Sequence, residues 1–183
     1  MRLRPLGTTL LPLLLAALLA AGPVAAQIEQ KTSSVTGATR LESTEMRDLT
    51  SKEYPGHASY RATHVRDPDE GVSWRLSFYG FAEDTTAMGP SPVLRLRADG
   101  TVIKPNLLES KIRRLGSSRL LEIKTAELNR SQFERVARAQ NVRLTIGPIG
   151  FWMPYPYRKD MRLILQRRTA TPPTAEQGSA GGL

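Results

Sequence analysis

Cysteine is absent from this 183-residue sequence. A disulfide, a thiolate metal ligand, a cysteine nucleophile and a lipidated cysteine are therefore all excluded. Histidine occurs only twice, as His57 and His64, seven positions apart and without a neighbouring cysteine, which argues against a zinc centre. No glycine loop of the phosphate-cradling kind is present, and the serines of "LGSSRL" lack the G-x-S-x-G frame of a nucleophile elbow. No cofactor is indicated. Long apolar runs are equally scarce, and only the segment from Leu10 to Ala21 comes close to one.

That segment belongs to "MRLRPLGTTLLPLLLAALLAAGPVAA". Arg2 and Arg4 form a basic start, Leu10 to Ala21 an apolar centre, and Val24-Ala25-Ala26 a small-residue cleavage site, the pattern of a secretory signal peptide spanning residues 1–26. The run contains Pro12 and falls short of the ~20 residues that cross a bilayer, so no transmembrane anchor is expected. The sequence thus predicts an exported protein, periplasmic or secreted. Such a protein without disulfides stands on its core alone, which a chain of this size can supply by burying roughly two thirds of its unfolded surface.

The charge is lopsided. The formal net charge is +9, and without Arg2 and Arg4 it becomes +7. A basic exported chain meets lipid head groups, envelope polyanions and acidic proteins readily. The competing reading is that arginine-rich composition reflects genome bias and solubility rather than a binding site.

Both ends read as unstructured. Residues 27–34, "QIEQKTSS", are polar, and 169–183, "TATPPTAEQGSAGGL", cannot bury enough apolar surface to offset the entropy of ordering. A single β-rich domain is expected over 35–168, with no internal repeat.

Within it, alternation of period two dominates. "VTGATRLESTEM" and "ASYRATHV" read as strands separated by the Pro55-Gly56 break. In "GVSWRLSFYGF", Val72, Trp74, Leu76 and Phe78 share one face. "VLRLRADGTVIKP" is a hairpin: Asp99-Gly100 suits a two-residue type I′ turn and pairs Ala98 with Thr101, Arg97 with Val102, Leu96 with Ile103 and Arg95 with Lys104. "SRLLEIKT" is a strand expected to bury Leu121 and Ile123 and to expose Glu122 and Lys124.

The period then changes. In "LNRSQFERVARAQN", Asn129 is a good N-cap, Gln132 completes a capping box, and Phe133, Val136 and Ala137 form an apolar stripe. "NVRLTI" returns to a strand. "YRKDMRLILQRR" fits either a helix, with Tyr157, Met161, Ile164 and Leu165 on one stripe, or a strand; helix is the preferred assignment because Arg167 and Arg168 suit a last turn. The fold class that follows is mainly β: an antiparallel β-sandwich or curved sheet of six to seven strands with one or two capping helices.

The succession from the "ADGT" hairpin to "ELNRSQFERVARAQNVRLTIG" resembles an uncharacterised domain of exported bacterial proteins. The matching positions are Leu128, Gln132, Phe133, Val136, Ala137, Ala139, Val142, Arg143, Leu144, Ile146 and Gly147. They cover roughly the second half of the domain and are mostly packing positions. The resemblance implies a fold and an envelope address, and it transfers no catalytic residue.

Four groups of residues carry the remaining chemistry. "DPDEG" offers carboxylates, but its spacing is that of a turn rather than a calcium loop. His64 with Asp67 and Asp69 could compose an unrecognised hydrolase site. Arg95, Arg97 and Lys104 are expected on the hairpin's outer face, where Lys111, Arg113, Arg114 and Arg119 could extend them into an electropositive strip. "FWMPYPY" could stack a flat ligand, or it could close the core with Phe151, Met153 and Tyr157 and leave Trp152 and Tyr155 exposed. The favoured function is a non-enzymatic binding module of the cell envelope that uses its basic face or aromatic lid. Its partner would be an anionic envelope component or another envelope protein. Export and the lack of a regular aromatic–basic array argue against nucleic acid. The rivals are the hydrolase and a structural subunit of an envelope assembly, the latter marked by an exposed edge strand or apolar patch.

Overall fold

The alternating pattern closes into two antiparallel sheets. The computed structural model describes residues 28–83, 88, 93–116 and 118–169, so the expected leader and almost all of the C-terminal tail lie outside the described residues. Eleven strands are described: β1 Ile28–Thr32, β2 Thr39–Ser43, β3 Arg47–Leu49, β4 His57–Asp67, β5 Gly71–Glu83, β6 Leu94–Ala98, β7 Thr101–Ile103, β8 Asn106–Leu115, β9 Arg119–Leu128, β10 Val142–Ile146 and β11 Ile149–Trp152. Two helices join them, α1 Arg130–Arg138 and α2 Lys159–Thr169, the second preceded by a 3₁₀ turn at Pro156–Arg158. The fold is mainly β with capping helices.

The large sheet runs β1-β2-β4-β5-β9-β8, with β3 also pairing β4, and the small sheet runs β11-β10-β6-β7. A bridge between Thr50 and Trp152 links the chain after β3 to β11. Leu76, Phe78, Leu96, Leu144, Ile146 and Phe151 are excluded from solvent, as are Phe133 and Val136 of α1 and Met161 and Ile164 of α2. The helices therefore cap one core shared with both sheets.

The hairpin forms as its sequence requires. Asp99 and Gly100 both take positive φ, +44° and +84°, the left-handed geometry of a type I′ turn, and Leu96 pairs with Ile103. Asp99 does more than turn the chain: its carboxylate accepts the backbone N–H groups of Asn141 at 2.8 Å and Gln140 at 2.9 Å. These two N–H groups hold its carboxyl below the usual carboxylate range. The capping box also forms, with Asn129 Oδ1 accepting from the Gln132 N–H at 2.9 Å and Gln132 Oε1 from the Asn129 N–H at 3.0 Å.

β9 turns its other face inward. Glu122 and Lys124 are buried at 0% and 2% exposure, whereas Leu121 and Ile123 are only half-buried on the opposite face. Alternation defines two faces without saying which one is core. The register decides: Trp74 pairs with Leu128 and Leu76 with Ala126, so the even-numbered residues of β9 all point inward. Each buried charge has a partner, as burial demands. Glu122 accepts the Met88 N–H at 3.0 Å and Lys124 donates to Ser110 Oγ at 2.6 Å. Burial lowers the Lys124 pKa.

Three further expectations change. Residues 28–32, read as flexible, form edge strand β1 against β2, because an unpaired strand edge recruits backbone hydrogen bonds whatever the side chains. β3, β8 and β11, too short or too charged to stand out as strands, are likewise paired. Tyr157 does not seal the core: it is 41% exposed, while Phe151 and Met153 are buried as expected.

Candidate functional site

The hairpin and the aromatic segment meet on the outer face of the small sheet. β6, β10 and β11 lie side by side, and the register places Arg97 opposite Arg143, and Arg143 opposite Trp152. Val102 of β7 continues this row beyond Arg97. Arg95 stands two residues from Arg97, opposite Thr145. Two separate expectations, a basic face and an aromatic lid, thus become one row, Trp152–Arg143–Arg97–Val102.

Arg143 is the member that single-site reasoning passed over. It was legible only as a packing position in the helix-to-strand segment, yet it joins the two halves of the site. Its guanidinium carbon lies 6.0 Å from the centre of the Trp152 ring, at the outer limit of a cation–π contact. Trp152 is 52% exposed. The absence of a Cβ at Gly150 leaves the space that the Arg143 guanidinium occupies, since a Cβ there would come within 2.5 Å of it.

The charged side chains of this row are arginines, with Glu53 accepting the Gly150 N–H at 2.9 Å beside it. Two arginines directly opposed across a sheet repel, and among the described residues Arg95, Arg97 and Arg143 take part in no ion pair. Arg95, Arg97, Arg143, Val102 and Thr145 line a shallow depression of about 270 Å³. Its chemistry is that of three guanidinium forks beside an aromatic plate, which suits anions presented along a surface.

Lys104 and Tyr155 are not part of it. Strand pairing stops at Leu96–Ile103 because Pro105 cannot donate to a ladder. Lys104 turns away into an open groove of about 780 Å³, lined also by His64, Trp74, Arg130 and Arg168. Tyr155 lies elsewhere, with the Arg162 guanidinium 4.2 Å from its ring centre and that of Arg158 at 5.5 Å. Lys111, Arg113 and Arg114 belong to β8, the far edge of the large sheet, and do not extend the basic row.

His64, Asp67 and Asp69 do not converge. His64 is 1% exposed and packs edge-on against Trp74 with ring centres 4.4 Å apart. Burial, with Arg168 next, pushes its pKa down to about 4, which keeps the imidazole neutral. Asp67 instead builds the β4–β5 turn, its Oδ1 accepting the N–H groups of Asp69 at 2.9 Å and Glu70 at 3.1 Å. Neither aspartate lines the groove that His64 borders. Among the described residues no group of three or more His, Asp or Glu is placed to hold a metal ion, and no helix is long and apolar enough to cross a membrane.

Comparison with protein-family models, curated proteins and solved structures gave no match for this chain.

Proposed function

We propose that this protein is an exported, non-enzymatic binding module of the cell envelope, and that it holds an anionic envelope component against the outer face of its small sheet. The observation that carries this reading is the row Trp152–Arg143–Arg97, in which two opposed guanidinium groups lack any carboxylate partner among the described residues. A bound anion would relieve their repulsion, and the exposed indole would add stacking or apolar contact. The leader-like N-terminus, the basic composition and the resemblance of residues 128–147 to a domain of exported bacterial proteins support the envelope address.

The test is sedimentation with phosphatidylglycerol vesicles and pull-down with an anionic polysaccharide across a salt series. Binding should fall steeply with salt, and Arg97→Gln with Arg143→Gln should reduce it at least tenfold. Salt-independent binding, or full retention in that variant, overturns the proposal.

A second reading, as a structural subunit of an envelope assembly, is supported by β8. This ten-residue edge strand presents exposed Leu108, Ile112 and Leu115, the kind of edge that pairs with another chain. Concentration-dependent self-association, abolished by Ile112→Lys, would favour it over the anion-binding module.

A further inference from the structure

The outer face of the large sheet holds a second pair of arginines, in a more enclosed setting. Arg61 of β4 lies opposite Ser77 of β5, and Thr63 lies opposite Arg75. Arg61 and Arg75 are therefore diagonal neighbours on one face, a separation of about 7–8 Å between backbones. Ser77 pairs onward with Thr125 of β9, and their hydroxyls are 3.1 Å apart. These residues, with Tyr79, line a trough of about 280 Å³.

Both arginines are half-buried. The Nε atoms of Arg61 and Arg75 are buried and make no hydrogen bond, and neither arginine is ion-paired among the described residues. Glu127 of β9 stands opposite Arg75 across the sheet without an ion pair among the described residues, and the two carboxylates that line the trough, Glu42 and Glu109, are engaged by other cations. Glu42 takes Lys31 at 3.0 Å and Arg40 at 3.8 Å, and Glu109 pairs with Lys111. Arg61 and Arg75 thus share a concavity with the hydroxyl residues Thr63, Ser77, Tyr79 and Thr125, and each keeps an Nε donor without a hydrogen bond. Buried donors without partners are costly in any fold, and two like charges make this arrangement costlier still.

We propose that this trough is a phosphate site. A phosphate monoester group carries about −1.5 to −2 charge near neutral pH and three acceptor oxygens, which matches two guanidinium forks and the hydroxyls of Thr63, Ser77, Thr125 and Tyr79. The ligand is free inorganic phosphate or a phosphate monoester head group presented by a lipid; both offer the same chemistry to the trough. The site is separate from the Arg97–Arg143 face, being on the other sheet, and it does not depend on that reading.

Calorimetric titration of the purified protein with inorganic phosphate at constant ionic strength tests it, alongside flotation with phosphatidic acid vesicles, whose head group is a monoester, and phosphatidylglycerol vesicles, whose head group is a diester. Saturable 1:1 binding of phosphate, or preferential flotation with phosphatidic acid, supports the site, and which of the two occurs identifies the source. Arg61→Gln with Arg75→Gln should abolish the effect, and Thr125→Val, which keeps the shape of the strand, should weaken it severalfold. The Arg97→Gln, Arg143→Gln variant should bind phosphate as the parent protein does. The proposal is overturned if neither probe binds, or if binding survives the Arg61/Arg75 substitutions.

Discussion

The guanidinium of Arg158 donates to the Ala139 carbonyl oxygen at 2.7 Å from a fully buried position. The same side chain reaches the carbonyls of Val136 at 3.0 Å and Gln140 at 3.1 Å. These are the last carbonyls of α1 and the residues just beyond it, which have no partners within the helix. A cation is also favoured at this end by the helix dipole. The aromatic–proline stretch 151–157 therefore delivers a charged plug to the end of the neighbouring helix, which makes it a structural junction.

Removing that plug should be expensive. Arg158→Met leaves the buried carbonyls of Val136 and Ala139 unpaired and should lower stability by about 3 kcal/mol, measured as a drop in the urea midpoint with unchanged slope. Arg158→Lys should recover only part of the loss, because a single ammonium cannot span carbonyls the planar fork reaches together. A stability within about 0.5 kcal/mol of the parent would refute the capping role.

The start of α2 is fixed in a complementary way. Asp160 is buried and accepts from Arg47 Nε at 2.7 Å, Arg47 Nη2 at 2.9 Å and Ser43 Oγ at 2.6 Å. Asp160→Asn preserves the shape but loses the charged bidentate pair, and should cost about 2 kcal/mol. A double-mutant cycle with Arg47→Met should show coupling of at least about 1 kcal/mol; additive effects would separate the two residues.

Acid should destabilise the protein through His64. Its folded pKa, about 4, lies below the unfolded value of about 6.5, so over that interval the unfolded chain binds more protons. Stability therefore rises with pH from about 4 to 6.5 and levels off above. His64→Phe should flatten that part of the melting temperature profile. A profile unchanged by the substitution would show that other groups govern it.

Gly80 lies opposite Glu122 across β5 and β9. A Cβ at Gly80 would come within 2.4 Å of both the Tyr54 hydroxyl and the Met88 methyl. Burial first, and then the nearby Glu122 charge, raise the Tyr54 pKa, which keeps the phenol neutral in this cluster. Gly80→Ala should cost about 1–3 kcal/mol by overpacking. Tyr54→Phe should relieve the clash and restore part of the loss in the double variant; strict additivity would contradict the packing account.

Much of the scaffold was legible locally. Asp99-Gly100 specifies its turn through backbone sterics, Asn129 and Gln132 specify the start of α1 through orphan N–H groups, and the stripe Met161, Ile164, Leu165 specifies the buried side of α2. β1, β3, β8 and β11 were not legible, because edge and short strands are held by backbone pairing and carry little apolar pattern. The candidate site was half legible. Arg95, Arg97 and Trp152 stood out as exposed chemistry, Arg143 did not, and Lys104 and Tyr155 were placed on other surfaces by Pro105 and by the arginines around the 3₁₀ turn.

Which residues alternate, where the chain turns and caps, and the exclusion of cysteine chemistry follow from covalent geometry and composition, and so are set by the order of the residues. Tertiary structure decided which face of β9 became core, that Arg97, Arg143 and Trp152 share one row, and that Arg61 and Arg75 stand diagonally on one face with no ion pair among the described residues. Alternation fixes two faces but leaves their identity open, and only the register between strands distant in sequence, set by the packing of the whole core, selects one of them.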